Sequence, residues 1–363
     1  MKNFLIEAFQ FYKLNFILFN ILFFYIFYFI INKAWSKHSF FKKTAVLYKG
    51  EQRVHLGEIP RLGGLIIYIQ LIIYYFFSNN FYFEFNNYSY LLLFLFPLML
   101  LSVLEDLFNN VSYKIRLFLI FITSILIIAY NIPHLPVIDE IPFIAFIFEN
   151  IFISSIFFIL CLMTLANGFN FIDGMNGLLG FFATGVCLSC INLSFIANDL
   201  ISVQPLFLYL LFIVCFLIIN YPFGKIFLGD SGAYLLAFLL GSWIINFFGT
   251  HNNISSWNAV LIFFYPATEV IYSYFRKVKN KKSPFHPDRE HLHLKIFDIL
   301  VTATKKPKLS NNLTTIFLAI FWLSPPLMIT WVYDNNLLIA LSLFLLIFTY
   351  IAMNLFIPPK SKL

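Results

Sequence analysis

The stretch LFLYLLFIVCFLIINYPFGKIFLGDSGAYLLAFLLGSWIINFF, residues 206–248, decides the fold. Two apolar runs, 206–219 and 232–248, flank a short turn that carries Gly224, Lys225, Gly229 and Asp230. A membrane-crossing helix needs about 20 predominantly apolar residues, with roughly 17 to 25 tolerated. Lipid offers no partner to a free backbone amide, so such runs are helical. They are also too long and too uniformly apolar for barrel strands.

The alternation continues outward in both directions. Apolar spans fall at 14–31, 62–77, 90–104, 115–129, 151–164, 178–196, 206–219, 232–248, 257–274, 313–332 and 337–355. Only 11% of residues are charged, against about 25% in soluble domains. Mean hydropathy is +0.84. The expectation is an all-α, polytopic membrane protein with eleven transmembrane helices, a single integral membrane domain over 1–363. The first span is followed by Lys33 and a basic loop with no small-residue cleavage site, so it reads as an uncleaved anchor.

Lysine and arginine set the expected orientation. Of the 24, all except Lys2 and Lys13 follow odd-numbered spans. The opposite loops hold Glu84, Asp139, Glu140, Glu149, Asp199 and Asp334 and no lysine or arginine. By the positive-inside rule the N-terminus lies outside and the C-terminus is cytoplasmic. The formal charge of +7 then reflects topology and contact with anionic lipid, not nucleic-acid binding. Cys161, Cys187, Cys190 and Cys215 all lie within spans. They read as small apolar core residues despite the C-x-x-C spacing of Cys187 and Cys190.

The chemistry-bearing residues gather in the loops expected on the cytoplasmic side. Glu105 and Asp106 end the third span. Paired carboxylates hold a divalent metal or act as a general base, or simply mark a solvated helix end. Lys114 and Arg116 follow closely and suit a phosphate. The loop after the fifth span, NGFNFIDGMNG (167–177), places Asn167, Asn170 and Asp173 among three glycines. Glycines let the backbone approach a ligand, and exposed amides cradle an anion. Asp230, in GDSG, opens the eighth span, where a carboxylate serves equally as a helix cap or a metal ligand. The loop SPFHPDREHLH (283–293) contributes Asp288, Arg289, His291 and His293. Two histidines without cysteine make zinc a weak reading, and phosphate or nucleotide contact fits better. In HLGEIPRLGG (55–64), Pro60 and paired glycines fix a turn. Arg61 there meets a phosphate or anchors the helix at the interface. Carboxylate oxygens with few thiols suit magnesium or manganese. Such a site at a membrane face suits a soluble phosphate-bearing donor and a lipid acceptor.

The ordered motifs PRLGG, (D/E)D…KxR, NxxNxxDGxxG, GDSG and PDRxHxH resemble those of the polyprenyl-phosphate N-acetylhexosamine-1-phosphate transferases, glycosyltransferase family 4. The likeness spans roughly residues 50 to 300 and is to the WecA-type branch more than to the MraY branch. The resemblance implies transfer of a sugar-1-phosphate from a UDP-N-acetylhexosamine to undecaprenyl phosphate, with UMP released. It implies Mg²⁺, with Mn²⁺ as a substitute. Asp230 would ligate the metal with Asn170 assisting. Glu105, Asp106 and Asp173 would be catalytic. Arg61, Lys114, Arg116, Asn167, Asp288, Arg289, His291 and His293 would bind substrates.

Three positions depart from the family pattern. Glu105 replaces the first aspartate of its pair, Asn176 replaces an acid found in some members, and Leu294 stands where some have another histidine. The expected location is the bacterial plasma membrane with the active site on its cytoplasmic face, and a homodimer is among the expected assemblies. The rival readings are a transporter or lipid flippase, and a non-catalytic homologue acting as a scaffold. Transporters place ionisable groups near the bilayer midplane. Here Glu269 is the only acid inside an expected span, and it sits near the cytoplasmic end.

Overall fold

The computed structural model describes residues 14–37, 59–78, 89–108, 110–138, 145–146, 148–284 and 288–358. Several of the charges that set the expected orientation, among them Lys42, Lys43, Arg53, Glu84, Asp139 and Lys360, lie outside the described residues. So does His286.

Every expected span is helical. Helices α1 (Leu14–Lys37), α2 (Gly63–Ser78), α3 (Ser89–Phe108), α4 (Tyr113–Asn131) and α5 (Ile151–Ile172) form the first half. Helices α6 (Leu178–Ile196), α7 (Leu200–Asn220) and α8 (Gly229–Thr250) follow. The ninth span is two helices, α9 (Trp257–Ile262) and α10 (Phe264–Lys279). Helix α11 (Leu292–Thr304) lies in the long loop, and the tenth span is α12 (Pro307–Phe317) with α13 (Ala319–Val332). Helix α14 (Asn336–Phe356) is the last. Among the described residues nine segments are helices long and apolar enough to cross a membrane. The second span is a shorter apolar helix, Gly63–Phe76, and the ninth is interrupted.

Both interruptions have chemical causes. Pro266 has no amide to offer the carbonyl four residues back, so the ninth span breaks at Phe263 and restarts with the proline in the first turn. In the tenth span the Trp322 indole N–H donates to the Thr315 carbonyl at 3.1 Å. An unbroken helix would give that carbonyl to the Ala319 amide.

Helix α8 is the centre of the bundle. It is buried on all sides from Gly229 to Ile245, as a helix with no polar stripe should be. It packs against α5, α3, α2 and α6. Close approach to α2 depends on glycine: a Cβ on Gly64 would stand 2.1 Å from the Gly232 amide nitrogen. The outer helices carry exposed apolar side chains, including Leu93, Phe118, Phe152, Trp331 and Phe344. That surface matches lipid rather than water.

Candidate active site

The start of α8 is where four other segments meet. A helix leaves its first amides without intrahelical partners and carries partial positive charge at that end. Here carboxylates from two other helices fill the vacancy. Asp106, at the end of α3, accepts from the Asp230 amide at 2.9 Å, the Ser231 amide at 3.0 Å and the Ser231 hydroxyl at 2.8 Å. Asp173, just past α5, accepts from the Gly229 amide. Gly229 has φ of +74°, and a Cβ there would lie 2.4 Å from the Arg61 carbonyl oxygen. Only glycine fits both demands.

The PRLGG segment is tied to the same place by backbone. The Phe227 amide donates to the Pro60 carbonyl at 2.9 Å. The Gly63 and Gly64 amides, free at the start of α2, donate to the Phe227 and Leu228 carbonyls at 2.9 and 3.0 Å. This pairing delivers Arg61 to the carboxylates. Its Nη2 donates to Asp230 Oδ1 at 3.2 Å, and its Nε lies 3.7 Å from Asp106 Oδ1. Arg116, from the first turn of α4, donates to Asp230 Oδ2. Asn170 Nδ2 donates to Asp230 Oδ1 at 2.9 Å. Burial pushes the Asp173 carboxyl well above the usual carboxylate range. Arg61 opposes that rise, while Asp106 and Asp230 add to it.

Glu105 has a separate task. Its Oε2 accepts from the Val111 amide at 2.7 Å, and Oε1 lies 3.9 Å from Arg116. The extra methylene reaches across to the turn that leads into α4. Aspartate would fall short by roughly 1 Å and weaken a bond worth about 1 kcal/mol. We expect Glu105→Asp to lower turnover a few-fold and the melting temperature by a few degrees. Faster turnover in that variant would show that the glutamate is not tuned to this turn.

The second cluster surrounds the 288–293 loop. His291 caps the start of α11, and its Nδ1 lies 2.9 Å from Glu269 Oε1 on α10. Both side chains are 2% exposed or less. The His291 and His293 rings stack at 5.8 Å and 16°. His293 packs on Gly174, where a Cβ would stand 2.5 Å from its Nε2. Burial lowers the His293 pKa to about 3, Glu269 opposing, so the ring is neutral. Asp288 and Glu290 pair with Arg276 at 3.2 and 2.8 Å. Arg276 holds the Asp288 carboxyl below the usual range against the upward push of burial. Arg289 pairs with Asp298 of α11 at 2.7 Å.

Comparison with known proteins gives this geometry a family. The pattern of glycosyl transferase family 4 matches residues 88–248. The undecaprenyl-phosphate alpha-N-acetylglucosaminyl 1-phosphate transferase of Thermotoga maritima is 31% identical over 258 residues, 70% of this chain and 74% of the relative. Proteins of the same name from Yersinia pestis and Escherichia coli K12 are each 26% identical, over 66% and 69% of both chains. The chain belongs to glycosyl transferase family 4.

The matched segment of this family 4 member runs from α3 to α8. It includes Glu105, Asp106, Arg116, Asn170, Asp173 and Asp230 but neither Arg61 nor the histidine loop. The fold brings those in. Of the expected site residues, two stand apart. Lys114 is exposed, and among the described residues no hydrogen bond or ion pair joins it to the centre. Asn167 turns back to its own helix, donating to the Met163 carbonyl at 2.8 Å.

Two sets of residues escaped sequence reasoning. Glu269 had a signal, an acid inside a span, and it is the partner of His291. The other set lies in α12 and clamps Asn176. The Asn176 amide donates to Asn311 Oδ1 at 2.8 Å, its side chain to Asn312 Oδ1 at 3.0 Å, and its carbonyl accepts from Thr315 Oγ1 at 2.7 Å. The position that departs from the family pattern is therefore held by structure. Asn311→Ala would strand a buried amide, and we expect a loss of about 1–3 kcal/mol. Denaturant unfolding in detergent checks it.

Proposed function

We propose that the protein transfers N-acetylhexosamine-1-phosphate from a UDP-sugar to undecaprenyl phosphate and releases UMP, starting a lipid-linked glycan. The observation that carries this reading is the meeting of Asp106, Asp173 and Asp230 with Arg61 and Arg116 at the start of a buried helix. The names of the relatives support the acceptor, and they make UDP-N-acetylglucosamine the first donor to try. In the reaction a lipid phosphate oxygen becomes bonded to the β-phosphorus of the donor. The bond from that phosphorus to the bridging oxygen breaks, and UMP carries the oxygen away. Such transfers need positioning and charge neutralisation more than covalent help from the protein.

The residues divide that work. Arg61 and Arg116, each about a quarter exposed (28% and 24%), turn from Asp230 to meet incoming phosphate oxygens. Asp173, whose carboxyl burial pushes above the usual carboxylate range, is placed to hold a proton beside the phosphates. Both oxygens of Asp106 are engaged by the first turn of α8, so its part is to hold Asp230 in place. The neutral His293 offers a hydrogen bond rather than a charge, which suits a nucleotide. Its Nδ1 is buried without a hydrogen-bond partner among the described residues.

The donor set also fits Mg²⁺, or Mn²⁺ in its place. Asp230 and Asn170, with Asp173 beside them, are all oxygen donors. Among the described residues no three acidic, histidine or cysteine side chains make a ready metal site. Mg²⁺ commonly takes one or two carboxylates and completes its shell with substrate phosphates and water. When bound, it would neutralise the donor diphosphate and the departing UMP. The charge pattern of the sequence favours a site on the cytoplasmic face of a bacterial plasma membrane.

The test is UMP release by the full-length protein in detergent, given undecaprenyl phosphate, Mg²⁺ and a panel of UDP-amino sugars. Lipid-dependent UMP from one donor, abolished by EDTA, is the expected result. A folded sample that releases no UMP from any donor overturns the reading in favour of a scaffold.

A further inference from the structure

We infer that Glu269 is a positioning residue for the nucleotide half of the site, acting through His291 on His293. The inference rests on the proposed function and names a residue on α10, outside the motif loops and outside the matched segment of the chain. Four observations carry it. First, Glu269 is a carboxylate on α10, within the interrupted ninth span, and only 1% exposed. A charge in that place is costly and is retained where it has a partner and a task. Second, the partner is His291, at 2.9 Å and itself 2% exposed. A carboxylate on Nδ1 selects the tautomer and fixes the plane of the ring. Third, that plane is handed on. The His291 ring meets Phe171 at 5.0 Å on one side and stacks with His293 at 5.8 Å on the other. Fourth, His293 abuts Gly174, the residue after Asp173, and among the described residues keeps a buried ring nitrogen without a hydrogen-bond partner.

The chain of contacts therefore runs from α10 to the edge of the carboxylate centre. Without the Glu269 carboxylate, His291 keeps only the more distant Asp288 carboxylate, 3.8 Å from its Nε2, and loses the bond to Nδ1 that selects its tautomer. His293 then loses the stacked neighbour that sets its orientation. Arg61 and Arg116, which we assign to the lipid phosphate, are not among the residues of this chain of contacts, so the lipid side of the site should be little changed.

The experiment uses full-length protein in detergent with UMP as the probe. Affinity for UMP is measured by calorimetry, and KM is measured for the UDP-sugar and for the lipid. Removing a carboxylate that orients a functional histidine typically costs on the order of 10- to 100-fold. Glu269→Gln is expected to weaken UMP binding by about tenfold or more and to raise donor KM in step, with lipid KM unchanged. The same substitution in a His291→Gln background should add nothing further. Unchanged UMP affinity in Glu269→Gln overturns the inference, as do independent, additive effects of the two substitutions. If Glu269→Gln fails to fold, His291→Gln alone decides: it should show the same UMP defect, and native affinity overturns the proposal. Wild-type protein that binds no UMP overturns the proposed function and this inference together, whereas wild-type binding with an unaffected Glu269→Gln overturns the inference alone.

Discussion

Asp230→Asn should abolish sugar-phosphate transfer while leaving the protein folded. The carboxylate is the common partner of Arg61, Arg116 and Asn170. The substitution keeps the volume and one acceptor oxygen but removes the charge that holds both guanidinia in place. It also removes a hard oxygen ligand from the proposed Mg²⁺ site. Loss of one preorganised electrostatic contact costs on the order of 100- to 1,000-fold in turnover. Loss of a metal ligand as well puts the expectation at the upper end of that range. The fold should survive because Arg61 retains Asp106 and Arg116 retains Glu105. UMP release and the melting temperature, measured on the same sample, check the two halves. Near-normal turnover would remove Asp230 from the reaction.

The second large effect is expected at Gly64, which touches no substrate in the proposed reaction. An alanine Cβ would stand 2.1 Å from the Gly232 nitrogen, 2.3 Å from its Cα and 2.7 Å from the Ser231 carbonyl carbon. All three are backbone atoms of α8, so no side chain can rotate away. Helix α2 must move outward, and the bonds from Gly63 and Gly64 to Phe227 and Leu228 stretch with it. Arg61 rides on that segment. Overpacking of this kind costs about 1–3 kcal/mol or more. A displacement of about 1 Å in a positioning group costs roughly 100-fold in rate. Gly64→Ala should therefore lose both stability and turnover. Gly241→Ala, on α8, is the control. Its Cβ would meet the flexible end of Leu162 at 2.7 Å, so a loss under about 1 kcal/mol is expected. Equal effects at the two glycines would refute the backbone argument.

The spans were legible because their signal is local. Apolar length alone forces a helix in lipid, and all eleven expected positions are helical. The two breaks were harder to see. Pro266 and the Trp322 indole each act on a single carbonyl, and hydropathy is blind to that. The carboxylate centre was legible in outline, since Asp106, Asp173, Asp230 and Arg116 sit in short polar stretches of sequence at or near the ends of the apolar runs. The division of labour among them was not. Asp106 reads equally as a catalyst or a helix end until the first turn of α8 is seen on both of its oxygens. Asn176 reads only as a departure from the family pattern until Asn311, Asn312 and Thr315 are seen around it.

The sequence by itself determined that this is a helical membrane protein with its polar chemistry confined to a few loops. Burial in lipid and the energetic cost of stray charges act on each segment separately. Only the tertiary structure decided which carboxylate caps α8, which arginines reach Asp230 and why an acid sits in the ninth span. Asp106 is 124 residues from the amide it caps, and Arg61 is 169 from the carboxylate it meets. Such pairings depend on how the helices pack, and no local pattern in the chain encodes them.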